Sequence, residues 1–177
     1  MVIKDLLRSN VLKFGEFTLT SGRKSNVYVD LKTVCTNPAL LSKISENMQQ
    51  LLSSKNIDFD KIACIELGGV PIAVSLSLKT KKPFVIFRKK RKEHGVKDEF
   101  IGDINENEKF LVVDDVSTTG SSVLAVSNKL IELKAKVECI LVVVDREEGA
   151  KEKIESKGFK FISIFTLSEL LKHRDYV

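Results

Sequence analysis

Proline, glycine and cysteine are all scarce in this 177-residue chain, at 3, 9 and 3 residues. So little Pro and Gly cannot build a flexible linker, and no repeat or low-complexity tract is visible. One domain spanning residues 1–177, with a sizeable core, is therefore expected. Cys35, Cys64 and Cys139 lie far apart, with no CxxC pair and an odd count. That speaks against a metal cluster or a disulfide framework. Cys64 and Cys139 each adjoin an isoleucine in a strand-like run and read as buried core thiols. No apolar run approaches the ~18–20 residues of a membrane span. The first ten residues alternate charge with Leu and Ile and form no apolar signal segment, so a cytoplasmic location away from any membrane is expected. A GxxxxGK[ST] phosphate loop is absent, and no GxGxxG follows a strand.

Charge of one sign is also nearly absent as a global property. The net charge is +5, from 29 Lys+Arg and 24 Asp+Glu. Residues 88–97 hold six basic side chains (Arg88, Lys89, Lys90, Arg91, Lys92 and Lys97) and one acid, Glu93. The rest of the chain carries 23 of each sign, so the whole excess sits in ten residues. A diffuse polyanion-binding surface fits this poorly, and one concentrated anion-binding element fits it well.

What is present alternates between two periods. Asn37-Pro38 reads as an N-cap and first helical position, because Pro has no amide hydrogen to lose there. Leu40, Leu41, Ile44, Met48, Leu51 and Leu52 follow at helical spacing as a core stripe. Short apolar runs lie at 62–66, 84–87, 110–113, 140–144 and 161–165, with helical candidates at 70–79, 121–133, 150–156 and 167–172. Most of the runs are continuous, as parallel strands covered on both faces require. The alternation predicts an α/β fold with a mostly parallel central sheet flanked by helices. Chemistry is then expected beyond the carboxyl ends of the strands.

The strongest chemical signal is the run Asp114-Asp115-Val116-Ser117-Thr118-Thr119-Gly120-Ser121-Ser122, which leaves an apolar strand and opens a helix. Amide hydrogens at a helix start favour an anion, and small hydroxylated side chains let a phosphate approach closely. The two aspartates are acceptors and suit sugar hydroxyls or hydrated magnesium better than phosphate itself. Without further context the run reads as an Asp-rich turn capping a helix. His173, without a partner pattern, reads as a surface residue.

The nine-residue run resembles the phosphoribosyl-diphosphate (PRPP) signature of the type I phosphoribosyltransferases. The fold this implies is a parallel α/β core with a small hood, here drawn mainly from residues 1–35. The implied activity is transfer of ribose 5-phosphate from Mg-PRPP to a nitrogen base. Asp114 and Asp115 would take the ribose hydroxyls, and Thr118, Thr119, Gly120, Ser121 and Ser122 the 5-phosphate, with Val116 and Ser117 in the same PRPP-binding run. Phe17-Thr18-Leu19-Thr20-Ser21-Gly22-Arg23-Lys24-Ser25-Asn26-Val27-Tyr28-Val29-Asp30 is similar to the N-terminal signature of the orotate-specific members. By pattern alone it is a hairpin with Ser21-Gly22 in the turn.

Arg88-Lys89-Lys90-Arg91-Lys92-Glu93-His94-Gly95 resembles the catalytic loop of the same members. The resemblance makes Arg88, Lys89, Lys92 and His94 PRPP-binding, with Lys92, Lys89 and His94 acting on the departing pyrophosphate. Lys90 and Arg91 fall at variable positions. Asp145-Arg146-Glu147-Glu148-Gly149 supplies the fourth match, in which Arg146, together with Thr118, would bind orotate. A guanidinium meets a carboxylate bidentately as Lys cannot.

Many bacterial members carry Lys where Thr20 stands, and Tyr-Lys where Leu67-Gly68 stands. This chain resembles the short archaeal-like variant, in which Gly68-Gly69 would meet pyrophosphate with bare backbone. Further implications are magnesium carried with PRPP rather than by a protein cage, a homodimer whose basic loop reaches the neighbouring site, and no nucleic-acid partner. Two rival readings stay open at this point: a phosphoribosyltransferase for another base, and a nucleotide- or RNA-binding regulator on the same fold.

Overall fold

The computed structural model describes residues 2–18, 22–89 and 99–174. In chain order the elements are α1 (Val2–Arg8), β1 (Leu12–Thr18), β2 (Lys24–Val29), α2 (Leu31–Val34), α3 (Pro38–Ser54), β3 (Lys61–Ile65), α4 (Gly69–Thr80) and β4 (Phe84–Phe87). They continue with β5 (Phe100–Ile101), β6 (Lys109–Ser117), α5 (Ser121–Glu132), β7 (Lys136–Asp145), α6 (Ala150–Glu155), β8 (Phe161–Thr166) and α7 (Leu167–His173). Six strands form one sheet in the order β5-β4-β3-β6-β7-β8. Every neighbouring pair is parallel except the edge pair β4–β5. β1 and β2 pair antiparallel as a separate two-stranded sheet. This is the expected α/β architecture.

The continuous apolar runs work because alternate residues of each strand feed different cores. Ile62, Cys64, Leu111, Val113, Cys139, Leu141 and Val143 join one core with residues of α1, α3, α4 and α7. Ala63, Phe110, Val112, Ile140 and Val142 join the other, with α5 and α6. In α3, Asn37 caps the helix as expected, its Oδ1 accepting from the amides of Ala39 (3.0 Å) and Leu40 (3.2 Å). Leu40, Ile44, Met48 and Leu52 of the stripe are buried, while Leu41 and Leu51 pack partly buried against the same core. All three cysteines are free and buried. Desolvation pushes each thiol up to about 12, so none is a thiolate near neutral pH.

The structure departs from the sequence reading in three places. The strand expected to stop at Val113 continues to Ser117, so both aspartates are strand residues. β7 stays alongside it, pairing Val116 with Val144 and Ser117 with Asp145, and the backbone ladder persists where the apolar pattern ends. The short helices α1 and α2 had no periodic signal long enough to read. β5 has only two residues and was equally illegible. His173 lies at the surface, partly covered, its Nδ1 2.9 Å from the Glu169 carbonyl oxygen. The two strands of the hairpin, by contrast, pair as read, with Val29 buried at the end, while Ser21 of the expected turn lies outside the described residues.

Parallel β3, β4, β6 and β7 all end on one edge of the sheet, and the hairpin is tied to that edge through Arg146. The candidate site lies there.

Candidate active site

β6 delivers Asp114, Asp115, Val116 and Ser117 to the sheet edge, and the chain then turns through Thr118 and Thr119 into α5. Gly120 is the N-cap of α5, with φ +72° and no side-chain cap, so the first amides of the helix are left for another acceptor. Only glycine fits there. A Cβ would stand 2.9 Å from Ile154 Cδ1, and the backbone is left-handed. A cavity of about 370 Å³ opens over this turn, lined by Asp114, the run from Val116 to Val123, and Lys153. The buried Ser117 Oγ on its wall has no hydrogen-bond partner. Unspent amides, hydroxyls and an orphaned hydroxyl together form an oxyanion cradle.

A second cavity, of about 400 Å³, adjoins it and shares Asp114, Val116, Thr118 and Ser122. Its other walls come from the hairpin (Thr18, Tyr28, Val29), from Lys32 of α2, from the β3–α4 turn (Ile65, Glu66, Leu67, Gly68), and from Lys89, Asp115 and Arg146. Its floor is acidic. The amide of Asp115 donates to Asp114 Oδ1 (2.9 Å), which aligns the two carboxylates side by side. Burial, followed by the charge of Asp115, pushes Asp114 well above the usual carboxylate range. Asp115 Oδ2 is buried without a hydrogen-bond donor, and among the described residues it pairs with Lys32 Nζ at 3.6 Å. Burial draws the Lys32 ammonium down, but Asp115, Tyr28 and Asp114 outweigh it and the net shift is upward.

The sign of the Asp114 shift gives a stability test. A carboxyl raised in the folded state holds its proton longer than in the unfolded chain. Its ionisation therefore weakens the fold as pH rises from the ordinary carboxylate value through the raised one. Asp114→Asn keeps the Oδ1 acceptor and removes the buried charge. The unliganded variant is expected to melt a few degrees above the parent at about pH 8, the advantage shrinking toward about pH 4. Thermal unfolding across that range measures it, and an advantage that grew in acid would contradict this electrostatic reading.

Lys32 is set in place by Asp30. The Asp30 side chain caps α2, accepting from the Thr33 amide (3.1 Å) and hydroxyl (2.8 Å), and pairs with Lys13 of β1. Burial opposes its ionisation, but these donors hold it below the usual carboxylate range. Gly68 meets Asp115 from the opposite side. A Cβ built there would lie 2.3 Å from Asp115 Oδ1, so the bare backbone that the sequence suggested is required by contact with the aspartate.

Arg146 follows β7 and is only 5% exposed. Its amide donates to the Ser117 carbonyl (2.9 Å), which locks it beside the cradle. Nε donates to Glu148 Oε1 (2.7 Å), Nη1 to the Val27 carbonyl (3.1 Å) and Nη2 to Ser25 Oγ (3.0 Å). The guanidinium thus pins the hairpin to the core. Five N–H donors minus these contacts leave it donors for a ligand in the second cavity, whose wall it forms.

The sequence-derived residues Lys89, Asp114, Asp115, Val116, Thr118, Ser122 and Arg146 come together around that cavity, and Ser117, Thr119, Gly120 and Ser121 line its neighbour. Arg88 does not join them. It lines a smaller cavity of about 220 Å³ with Phe87, Glu99 and Lys129, which shares Ile65 and Lys89 with the second one, and its buried Nε has no hydrogen-bond partner. Lys92 and His94 lie outside the described residues, as do Thr20 and Ser21. Sequence reading missed Lys32, Lys153 and Glu148 as members of the site. Lys32 and Lys153 belong to no recognisable pattern and arrive by tertiary placement, whereas Glu148 lies inside the Asp145–Gly149 match, two residues from the Arg146 it pairs with.

Among the described residues no group of three or more His, Cys, Asp or Glu could hold a metal ion. The orphaned Asp115 Oδ2 beside Asp114 does fit an outer contact to a hydrated divalent cation brought in on a ligand's phosphates. No helix among the described residues is long and apolar enough to cross a membrane.

The phosphoribosyl transferase domain family matches residues 30–170. The chain is 48% identical to the orotate phosphoribosyltransferase of Archaeoglobus fulgidus over 176 residues, covering 99% of this chain and 93% of that protein. The crystal structure of orotate phosphoribosyltransferase from Aeropyrum pernix superposes with a TM-score of 0.87 at 30% identity, covering 100% of this chain and 99% of that one. The Mycobacterium tuberculosis orotate phosphoribosyltransferase, solved in complex with PRPP, superposes at 0.75 with 28% identity and 96% coverage of both chains. With a parallel sheet edge that carries an oxyanion cradle, an aspartate pair and a buried arginine, the chain belongs to the phosphoribosyltransferase family, among the orotate phosphoribosyltransferases.

Proposed function

We propose that the protein transfers ribose 5-phosphate from Mg-PRPP to a ring nitrogen of orotate, giving orotidine 5′-monophosphate and pyrophosphate in pyrimidine synthesis. The observation that carries this reading is the pair of fused cavities sharing Asp114, Val116, Thr118 and Ser122. One is an oxyanion cradle, and the other holds an acidic floor and a guanidinium on its wall.

In this reading the 5-phosphate sits over the α5 turn, on the amides and hydroxyls from Thr118 to Ser122. Asp114 and Asp115 accept from the ribose hydroxyls and fix C1 between pyrophosphate and base. Arg146 engages the orotate carboxylate with the donors left after Glu148, Ser25 and Val27, and Thr118 closes the same side. Holding both reactants converts an encounter in solution into a local displacement. As the bond from C1 to pyrophosphate loosens, negative charge grows on the leaving oxygens. Lys89 lines the cavity, its amide fixed on Glu66 Oε1 at 2.9 Å. With Lys92 and His94 it stabilises that charge. Magnesium carried with PRPP would supply charge neutralisation at the pyrophosphate, with Asp115 Oδ2 placed to meet its hydration shell. Orotate is already anionic, so no strong base is required of the protein. The working unit is a homodimer in the cytoplasm; Lys89 serves its own chain's cavity, and the basic loop beyond it, with Lys92 and His94, reaches the neighbouring site.

Choice of base tests the role of the guanidinium. With Mg-PRPP and either orotate, uracil or adenine, turnover is expected with orotate and to be at least about 100-fold slower with the two bases that lack a carboxylate. That margin is the value of a charge-assisted fork left unpaired. Comparable rates with uracil would contradict the assignment of Arg146.

A further inference from the structure

Resting on the reading of the α5 turn as the 5-phosphate cradle, we infer that Lys153 of α6 is a further binding residue for the sugar phosphate. Lys153 is the sole cation among the residues lining that cavity, and the sole acid there is Asp114. Its Nζ donates to Ser121 Oγ at 2.9 Å, and Ser121 Oγ lies 3.0 Å from Thr119 Oγ1. The ammonium therefore already rests on the hydroxyls of the cradle. No carboxylate among the described residues lies within ion-pairing distance of it, although Glu152 and Glu155 share its helix. It is held instead by a neutral hydroxyl of the cradle.

Its position is built into the fold. The left-handed Gly120 packs against the buried Ile154, and the space for a Cβ at Gly120 is taken by Ile154 Cδ1 at 2.9 Å and Cγ1 at 3.0 Å. The contact locks α6 onto the turn, and Lys153, one residue before Ile154, is carried to the rim of the cradle. The other donors there are neutral amides and hydroxyls, so one ammonium at the rim adds a full positive charge facing the phosphate. Because Lys153 is exposed, the gain is modest and salt-dependent.

The test compares ligands that carry the sugar phosphate with one that does not. Ribose 5-phosphate and orotidine 5′-monophosphate carry it, and pyrophosphate does not. For Lys153→Met, dissociation constants from competition titration are expected to rise about fivefold for the first two, or about 1 kcal/mol. Pyrophosphate binding should stay unchanged. Lys153→Arg should recover most of the loss, and the Met variant should show a shallower salt dependence for ribose 5-phosphate. An unchanged ribose 5-phosphate constant in Lys153→Met, or equal weakening of pyrophosphate, would overturn the role of Lys153. If the parent protein bound pyrophosphate but not ribose 5-phosphate, the cradle assignment itself would fall instead.

Discussion

Replacing Arg146 with alanine is expected to reduce kcat/KM for orotate by at least about 100-fold and to destabilise the fold at the same time. The two effects have separate origins. The catalytic loss comes from the donors that Arg146 keeps free for the orotate carboxylate. The stability loss comes from Glu148, whose Oε1 would lose its partner among the described residues and whose Oε2 is already buried without one. Removing one member of a buried ion pair costs about 3–5 kcal/mol, on the order of 10 °C in Tm for a chain of this size. The hairpin would also lose its tie at Ser25 and Val27. Arg146→Ala combined with Glu148→Ala separates the effects. The double variant should regain much of the lost Tm, because no unpaired charge remains, and stay as inactive as the single one. Steady-state kinetics and thermal unfolding measure both. An active double variant would remove Arg146 from orotate binding and leave it as a strut.

The second large effect is expected from the smallest change, Gly68→Ala. The added methyl would stand 2.3 Å from Asp115 Oδ1 and 2.4 Å from its Cγ, so either the carboxylate or the β3–α4 turn must move. Displacing a positioning group by about 1 Å can cost on the order of 100-fold in rate, and that loss is expected in kcat/KM for PRPP. The clash identifies its own suppressor. In an Asp115→Ala background there is no carboxylate to strike, so adding Gly68→Ala should cost little more. Double-mutant coupling of this kind marks direct contact. If Gly68→Ala kept parental kcat/KM, the close approach of this turn to Asp115 would have no part in PRPP use.

These expectations show which parts of the molecule can be read from sequence. The parallel core was legible because β3, β6 and β7 are continuous apolar runs, and α3 because Asn37-Pro38 opens a clear stripe. The run from Asp114 to Ser122 was legible because a phosphate cradle needs amides, hydroxyls and a glycine in consecutive positions. The extension of β6 through the aspartates was not, since it depends on β7 remaining paired as far as Asp145. Lys32 was equally hidden. It reaches Asp115 only because Asp30 caps α2 and holds that short helix against the sheet edge. Arg146 was found by its local motif, but its partners Val27 and Ser25 lie 119 and 121 residues earlier, and no local pattern reveals that the same guanidinium braces the hairpin. Motifs contiguous in sequence announce themselves, whereas contacts made across the fold do not.

The most direct measurement is the stoichiometry of the reaction itself. Purified protein is mixed with Mg-PRPP and orotate, the loss of orotate absorbance is followed, and released pyrophosphate is counted in parallel. The expected result is one pyrophosphate per orotate consumed, with orotidine 5′-monophosphate as the product, and no pyrophosphate release when orotate is omitted. Folded protein that left orotate untouched under these conditions, or that released pyrophosphate without consuming it, would contradict the proposed transfer.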